Sequence, residues 1–261
     1  MSDLVVADEG GVRRIAMNRP EKRNALTRAM YAAMAEALRE AATRPAIRAA
    51  LITGGPDCFT AGNDIADFRA RGEAAAEVPS PARGFLAALR DCPKPVVAAV
   101  AGHAVGIGTT MLLHCDLVYA AENARFALPF VDLGLCPEGG SSILLPQRAG
   151  ALLANELLML GGAFDAATAL RAGIVNAVLP DAALLAHAEE KARILAAKPP
   201  SAMAAAKALL RRADAARLAA QMEEEFARFN ALLRGPEAAE ATAAFAEKRK
   251  PDFSRFLPQE D

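Results

Sequence analysis

The sequence has no tryptophan, two tyrosines, three histidines and four cysteines in 261 residues. With only His103, His114 and His187 available, a histidine-rich metal centre is not expected. Cys58, Cys92, Cys115 and Cys136 never fall in a Cys-x-x-Cys pair, which argues against a zinc site and suits reduced, mostly buried thiols. Charge of one sign is also lacking: 30 basic residues face 31 acidic ones, for a net charge of −1. No global field then draws the chain to nucleic acid or to an acidic membrane, although a polyanionic small molecule needs only a local patch. There is no uninterrupted apolar run long enough to span a bilayer, and Met1 to Glu9 lack the basic start and apolar core of a secretory signal, so a cytoplasmic protein is expected. Internal repeats and long polar linkers are missing too; Glu73 to Pro81, rich in Ala, Glu and Pro, is the best candidate for a mobile loop.

What is present is a core. A hydrophobic content of 53% with 23% charged residues is that of a soluble globular protein. Glu9-Gly10-Gly11 separates two apolar runs and predicts a β-hairpin. Thr27 is a plausible cap for a helix in which Met30, Met34 and Leu38 recur at helical spacing. Further strands are predicted at residues 49–53, 95–100 and 117–120, each followed by Gly-rich or polar punctuation. Alternating strands and helices give an α/β protein with a mostly parallel sheet, in which ligands bind near the carboxyl ends of strands.

From Leu152 onward helices take over. Asp165 and Gly173 bracket one, Asp181 starts another that stops at Pro199-Pro200, Ser201 caps a third, and Gly235-Pro236 opens a last one containing Phe245. Arg211, Arg212, Glu223, Glu224 and Glu225 read as solvated helix faces.

Three segments carry chemistry. Phe59-Thr60-Ala61-Gly62-Asn63-Asp64-Ile65 follows a predicted strand, and its small residues leave backbone N–H groups free to point into a cleft. Lys94 to Thr110 is a buried strand feeding the Gly-rich turn Gly102-His103-Ala104-Val105-Gly106-Ile107-Gly108 and then an apolar helix around Met111, Leu112 and Leu113; a helix N-terminus with free N–H groups suits an anion. In the third, Pro129 to Ser142, a single acid, Glu138, sits in a Gly-flanked turn otherwise built of apolar residues. Desolvation by Phe130, Leu133 and Leu135 would raise its pKa towards neutrality, as befits a group that accepts a proton and returns it. The plainer reading is that Glu138 caps a helix starting at Ser141. Around it, Asp132 reads as a structural hydrogen-bonding group, Cys136 as a packing thiol, and His103 and His114 as packed or supporting residues; Ser141 and Ser142 lack a Gly-x-Ser-x-Gly setting.

With these segments in order, and with Asn18-Arg19-Pro20-Glu21-Lys22-Arg23-Asn24-Ala25-Leu26 before them and Phe245-Ala246-Glu247-Lys248-Arg249-Lys250-Pro251 after, the chain resembles the crotonase superfamily, the enoyl-CoA hydratase/isomerase family, over nearly its whole length. The resemblance implies a spiral ββα core over residues 1–195 holding the acyl-CoA site, and a C-terminal helical region, 196–261, for trimerisation and CoA covering. It implies no cofactor beyond the CoA of the substrate, and a homotrimer or dimer of trimers. The thioester oxygen would sit between the backbone N–H groups of Ala61 and Ile107. Arg23, Ala25, Gly62, Asn63, Asp64 and Ile65 would meet substrate and CoA along with Phe130 and Leu133, and Phe245 and Lys248 would close the CoA pocket of a neighbouring subunit.

Hydratases of this family hold water with two glutamates, and those positions here are Thr110 and Phe130. Glu138 matches instead the single catalytic glutamate of Δ3,Δ2-enoyl-CoA isomerases resembling the peroxisomal enzymes. The function expected is therefore 3-enoyl-CoA to 2-enoyl-CoA isomerisation by one acid/base. The alternatives are an enoyl-CoA hydratase or another lyase of the family, or a non-catalytic acyl-CoA-binding protein.

Overall fold

The hydrophobic pattern produces two sheets. A computed structural model describes residues 2–64, 67 and 80–256. The hairpin appears as β1 (Leu4–Glu9) and β2 (Val12–Met17), antiparallel in register Glu9 to Val12. Thr27 caps α1 (Arg28–Thr43), its side chain accepting from the Met30 amide, and the Met30, Met34 and Leu38 stripe is buried. Then β3 (Ala49–Thr53), β4 (Cys58–Thr60), α2 (Pro81–Asp91), β5 (Val96–Val100), β6 (His103–Val105), α3 (Ile107–Thr110), β7 (Leu117–Ala121) and β8 (Arg125–Ala127) follow.

The pairs β3/β4, β5/β6 and β7/β8 each give their first strand to a larger sheet and their second to a smaller one. The larger sheet runs β1-β2-β3-β5-β7-β10, closed by β10 (Ala177–Leu179), and is parallel from β2 onward. The smaller runs β4-β6-β8-β9, with β9 (Phe164–Asp165) antiparallel at its edge. Sequence reading placed β1, β2, β3, β5 and β7 of the larger sheet and missed β10 and the strands of the smaller sheet, whose runs of two or three residues carry too little periodicity to register.

Both faces of the larger sheet are covered, which is why β3 and β5 read as unbroken apolar runs. Ala50, Ile52, Val96, Ala98 and Val100 join the main core, while the alternate residues Ala49, Leu51, Val97 and Ala99 pack with Ala188, Ala192 and Ala196 of α7 (Leu184–Ala196).

The remaining helices are α4 (Ser141–Ala149), α5 (Ala151–Leu160), α6 (Ala166–Arg171), α8 (Pro200–Arg212), α9 (Ala215–Leu233) and α10 (Pro236–Ala246). Pro200 rather than Ser201 opens α8, since a first-turn position needs no N–H. Not all charges assigned to solvated faces lie there. Glu225 is 4% exposed. Arg211 pairs with Asp116 at 2.8 Å and donates to the carbonyls of Arg90 and His114. Lys207 reaches Asp116 at 2.6 Å, so α8 is bolted to the strand and turn beside the Gly-rich segment. Among the described residues no helix is long and apolar enough to cross a membrane.

Candidate active site

The Gly-rich turn ends at Gly106, whose left-handed φ of 57° reverses the chain into the short helix α3. The Gly106 carbonyl accepts the amides of Thr109 (2.9 Å) and Thr110 (3.0 Å). The Ile107 amide, in the first turn where no intrahelical acceptor exists, has no acceptor among the described residues. Gly108 then presses on β4: a Cβ there would stand 2.6 Å from Thr60 Cγ2, so only glycine lets the turn come this close to the Thr60–Asp64 segment.

That segment is pinned by Asn24, which is 2% exposed and left-handed (φ 54°). Its side-chain amide donates to the carbonyls of Cys58 (2.9 Å) and Phe59 (3.2 Å), and its own carbonyl accepts the Thr60 hydroxyl at 2.6 Å. The Ala61 amide donates to Arg23 O at 3.0 Å and the Gly62 amide to Thr60 Oγ1 at 3.1 Å, while Asp64 N bonds Leu26 O at 3.0 Å. Ala61 therefore has no amide hydrogen left for a ligand, and the expectation that it supplies a donor is corrected. Asn63 is the residue of this segment whose N–H has no acceptor among the described residues, and it lines the same cleft as Ile107. Tyr31 holds its side chain, donating to Asn63 Oδ1 at 2.7 Å. Asp64 pairs with Arg19 at 2.6 Å, and Ile65 lies outside the described residues, as does most of the Glu73–Pro81 stretch.

Glu138 enters the cleft from the turn before α4. Thr110 donates its hydroxyl to Glu138 Oε1 at 2.5 Å. The main chain of the turn is held from three sides. Ser141 donates its amide (3.2 Å) and hydroxyl (2.7 Å) to Glu138 O. His114 Nε2 meets Gly139 O at 2.6 Å. His114 is 3% exposed, and burial first, then the charges of Arg211, Arg148 and Arg90, push its pKa down to about 4. The ring is thus neutral near pH 7, and because a carbonyl can only accept, Nε2 carries the proton. On the third side, the Glu225 carboxylate of α9 accepts the Gly140 amide at 2.5 Å, the Ser142 amide at 3.0 Å, and the Ser142 hydroxyl. The cap of α4 is Glu225, not the Glu138 side chain, which settles the plainer sequence reading against itself.

Asn63, Ile107, Glu138, Leu86, Met222 and Phe226 are among the residues around a cleft of about 260 Å³. Its other acid, Glu223, is 56% exposed and paired with Arg83 at 2.5 Å. Phe130 is 5% exposed and packs in the core with the partly buried Leu133 against it; neither lines this cleft. Asp132 is exposed and outside the cleft, and His103 is exposed rather than packed. Burial pushes the Cys136 thiol pKa up, as expected of an unreactive sulfur. Arg23 and Ala25 lie on the turn feeding Asn24, Arg23 exposed and lining a separate depression of about 320 Å³ with His103 and Cys58. At the other end of the chain Phe245 is 62% exposed, and Lys248, exposed and left-handed (φ 55°), follows α10 where Glu240 gathers Arg249, Arg255 and the Asp252 amide. Sequence reading assigns Asn24 no role beyond its place in the Asn18–Leu26 motif and puts Glu225 on a solvated face, because the partners of both are distant in the chain.

Residues 7–255 match the family described as enoyl-CoA hydratase/isomerase. The chain is 36% identical over 253 residues to 2,3-dehydroadipyl-CoA hydratase of Escherichia coli (strain K12), covering 97% of this chain and 99% of that protein. It is 35% identical over 250 residues to enoyl-CoA delta isomerase 2 of Rattus norvegicus, covering 94% of this chain and 64% of that one. Among solved structures, an enoyl-CoA hydratase/isomerase from Pseudoalteromonas atlantica T6c superposes with a TM-score of 0.91 at 41% identity, over 97% of this chain and all 100% of that one.

Proposed function

The chain belongs to the enoyl-CoA hydratase/isomerase family and has its fold, and from that premise we propose that it is a 3-enoyl-CoA to 2-enoyl-CoA isomerase with Glu138 as its one acid/base. The observation that carries this reading is the Thr110 hydroxyl on Glu138 Oε1: a position where hydratases of the family bear a glutamate is occupied by a group that orients the remaining carboxylate.

In the proposed reaction the Glu138 carboxylate takes a proton from the carbon next to the thioester. The C–H electron pair forms a double bond to the carbonyl carbon, and the carbonyl pair moves onto oxygen. The amides of Asn63 and Ile107 stabilise that oxyanion more than the neutral carbonyl, because they are aimed before the charge develops. Electrons then flow back from the oxyanion, the γ carbon takes the proton from Glu138, and the double bond ends up conjugated with the thioester. One carboxylate serves both transfers, and Leu86, Met222 and Phe226 around it limit exchange of the carried proton with water.

The exposed Phe245 and Lys248 support the accompanying proposal of a trimer or dimer of trimers, in which a neighbour's α10 and the turn after it cover CoA. Hydration of a 2-enoyl-CoA is the second reading, favoured by the name of the Escherichia coli relative. Glu138→Gln tests the acid/base assignment: isomerisation should fall on the order of 10²–10⁴-fold while affinity for a saturated acyl-CoA stays within about twofold. Loss of less than about tenfold would move the role to another residue.

A further inference from the structure

We propose that Glu225 is a positioning residue for Glu138, making α9 of the C-terminal helical region a working part of the active site; this rests on the reading of Glu138 as the acid/base. The turn bearing Glu138 ends on Gly140, which is left-handed (φ 75°) and has no side chain to cap the helix it precedes. Glu225 supplies that cap from a different element, taking the Gly140 and Ser142 amides and the Ser142 hydroxyl. Gln221, one turn earlier on α9, donates to the same Ser142 hydroxyl at 2.9 Å.

Two features argue that the contact does more than close a helix end. First, a helix start at a surface is ordinarily capped by a local Ser, Thr, Asp or Asn at no desolvation cost, whereas Glu225 is 4% exposed and burial pushes its pKa up against the pull of its hydrogen bonds. Second, helical spacing places Glu225 on the face of α9 that also carries Met222, Phe226 and Phe229, all of which line the cleft. A single rigid helix therefore forms one wall of the acyl site and grips Gly140 and Ser142, just beyond the Glu138 turn. A shift of α9 moves the Glu138 carboxylate relative to Asn63 and Ile107, on which a near-attack geometry depends.

The charge on Glu225 is required because all its partners are donors. Replacing it by glutamine leaves one oxygen to accept and turns an N–H towards groups that are themselves donors. Steady-state kinetics of Glu225→Gln with a 3-enoyl-CoA, at a temperature well below its unfolding midpoint, should show kcat lowered by about 10- to 100-fold with KM unchanged within about twofold. A purely structural cap would lower the midpoint and leave kcat of the folded protein alone, and that result overturns the proposal. Should Glu225→Gln not fold, Ser142→Ala removes one donor and leaves the carboxylate in place: a fall of roughly three- to tenfold in kcat at constant KM is expected, and an unchanged kcat overturns the proposal. Glu138→Gln run alongside separates the two claims. If it stays active, the acid/base assignment itself fails; if it is inactive while Glu225→Gln turns over as wild type, only the positioning role fails.

Discussion

Replacing Thr110 by valine removes a single hydroxyl from a site that is 0% exposed, keeping the β-branched shape. What is lost is one short hydrogen bond, 2.5 Å from Thr110 Oγ1 to Glu138 Oε1. A hydrogen bond to a charged group contributes about 1.5–3 kcal/mol, and 1.4 kcal/mol is a factor of ten, so the full value corresponds to a roughly 10- to 150-fold change in rate. The upper end applies only if the bond acts wholly in the transition state. Because the same bond also orders the carboxylate in the resting enzyme, a fall of about 10- to 50-fold in kcat is the expected outcome, with KM within about twofold. Circular dichroism and thermal unfolding give the control. Thr110→Ser keeps the hydroxyl and should retain kcat within about threefold, at a stability cost of about 1 kcal/mol for the lost methyl. A Val variant that turns over within about twofold of wild type would refute the idea that Thr110 orients the base, since loss of a productive bond must cost more than that.

Two other outcomes follow from contacts at the same site. Gly108→Ala puts a Cβ 2.6 Å from Thr60 Cγ2 and should separate the Ile107 and Asn63 amides; kcat is expected to fall at least about tenfold, and adding Thr60→Ser, which removes that methyl and keeps the hydroxyl bonds to Asn24 O and Gly62 N, should restore much of it. Double-mutant kinetics with no recovery would show that the close approach is not what sets the donors. For His114 the folded pKa, about 4, lies below the ordinary histidine value of 6.5, so between these values the unfolded chain binds the extra proton and stability rises with pH. The stabilisation is complete above about pH 6.5 and lost as pH falls towards 4, to the extent of roughly 3 kcal/mol; thermal unfolding against pH should show this slope, and His114→Gln should flatten it.

β1, β2, β3, β5 and β7 were legible because their apolar runs are bounded by glycine or polar turn residues, the three-residue β10 was not, and α1 was legible because Thr27, Met30, Met34 and Leu38 are local signals. The Gly-rich turn and the lone acid Glu138 were legible for a similar reason, since each stands out along a single stretch of chain, whereas Ile107 was singled out within that turn only by the resemblance to the family. Asn63 was within the right segment, yet the choice between it and Ala61 depends on which amides are consumed at home, and Arg23 O is the group that consumes Ala61's. Such a competition between distant main-chain groups leaves no mark on composition or spacing. Glu225 was misread because its neighbours Glu223 and Glu224 are exposed, and a run of three acids on an amphipathic helix looks solvated until the helix is seen to pack against a capless Gly140. Phe130 and Leu133 were expected at the substrate from the resemblance; Phe130 packs in the core with the partly buried Leu133 against it, and neither is among the residues lining the cleft.

The proposed isomerisation requires that one oriented carboxylate shuttle a proton and that no second acid hold a water. Its most direct measurement is spectrophotometric turnover of the purified protein with a 3-enoyl-CoA, followed as the conjugated thioester forms, against turnover with the matching 2-enoyl-CoA, followed as conjugation is lost to hydration. Isomerisation is expected to be faster than hydration by on the order of 100-fold or more in kcat/KM. Comparable rates in the two assays, or hydration the faster, would contradict it.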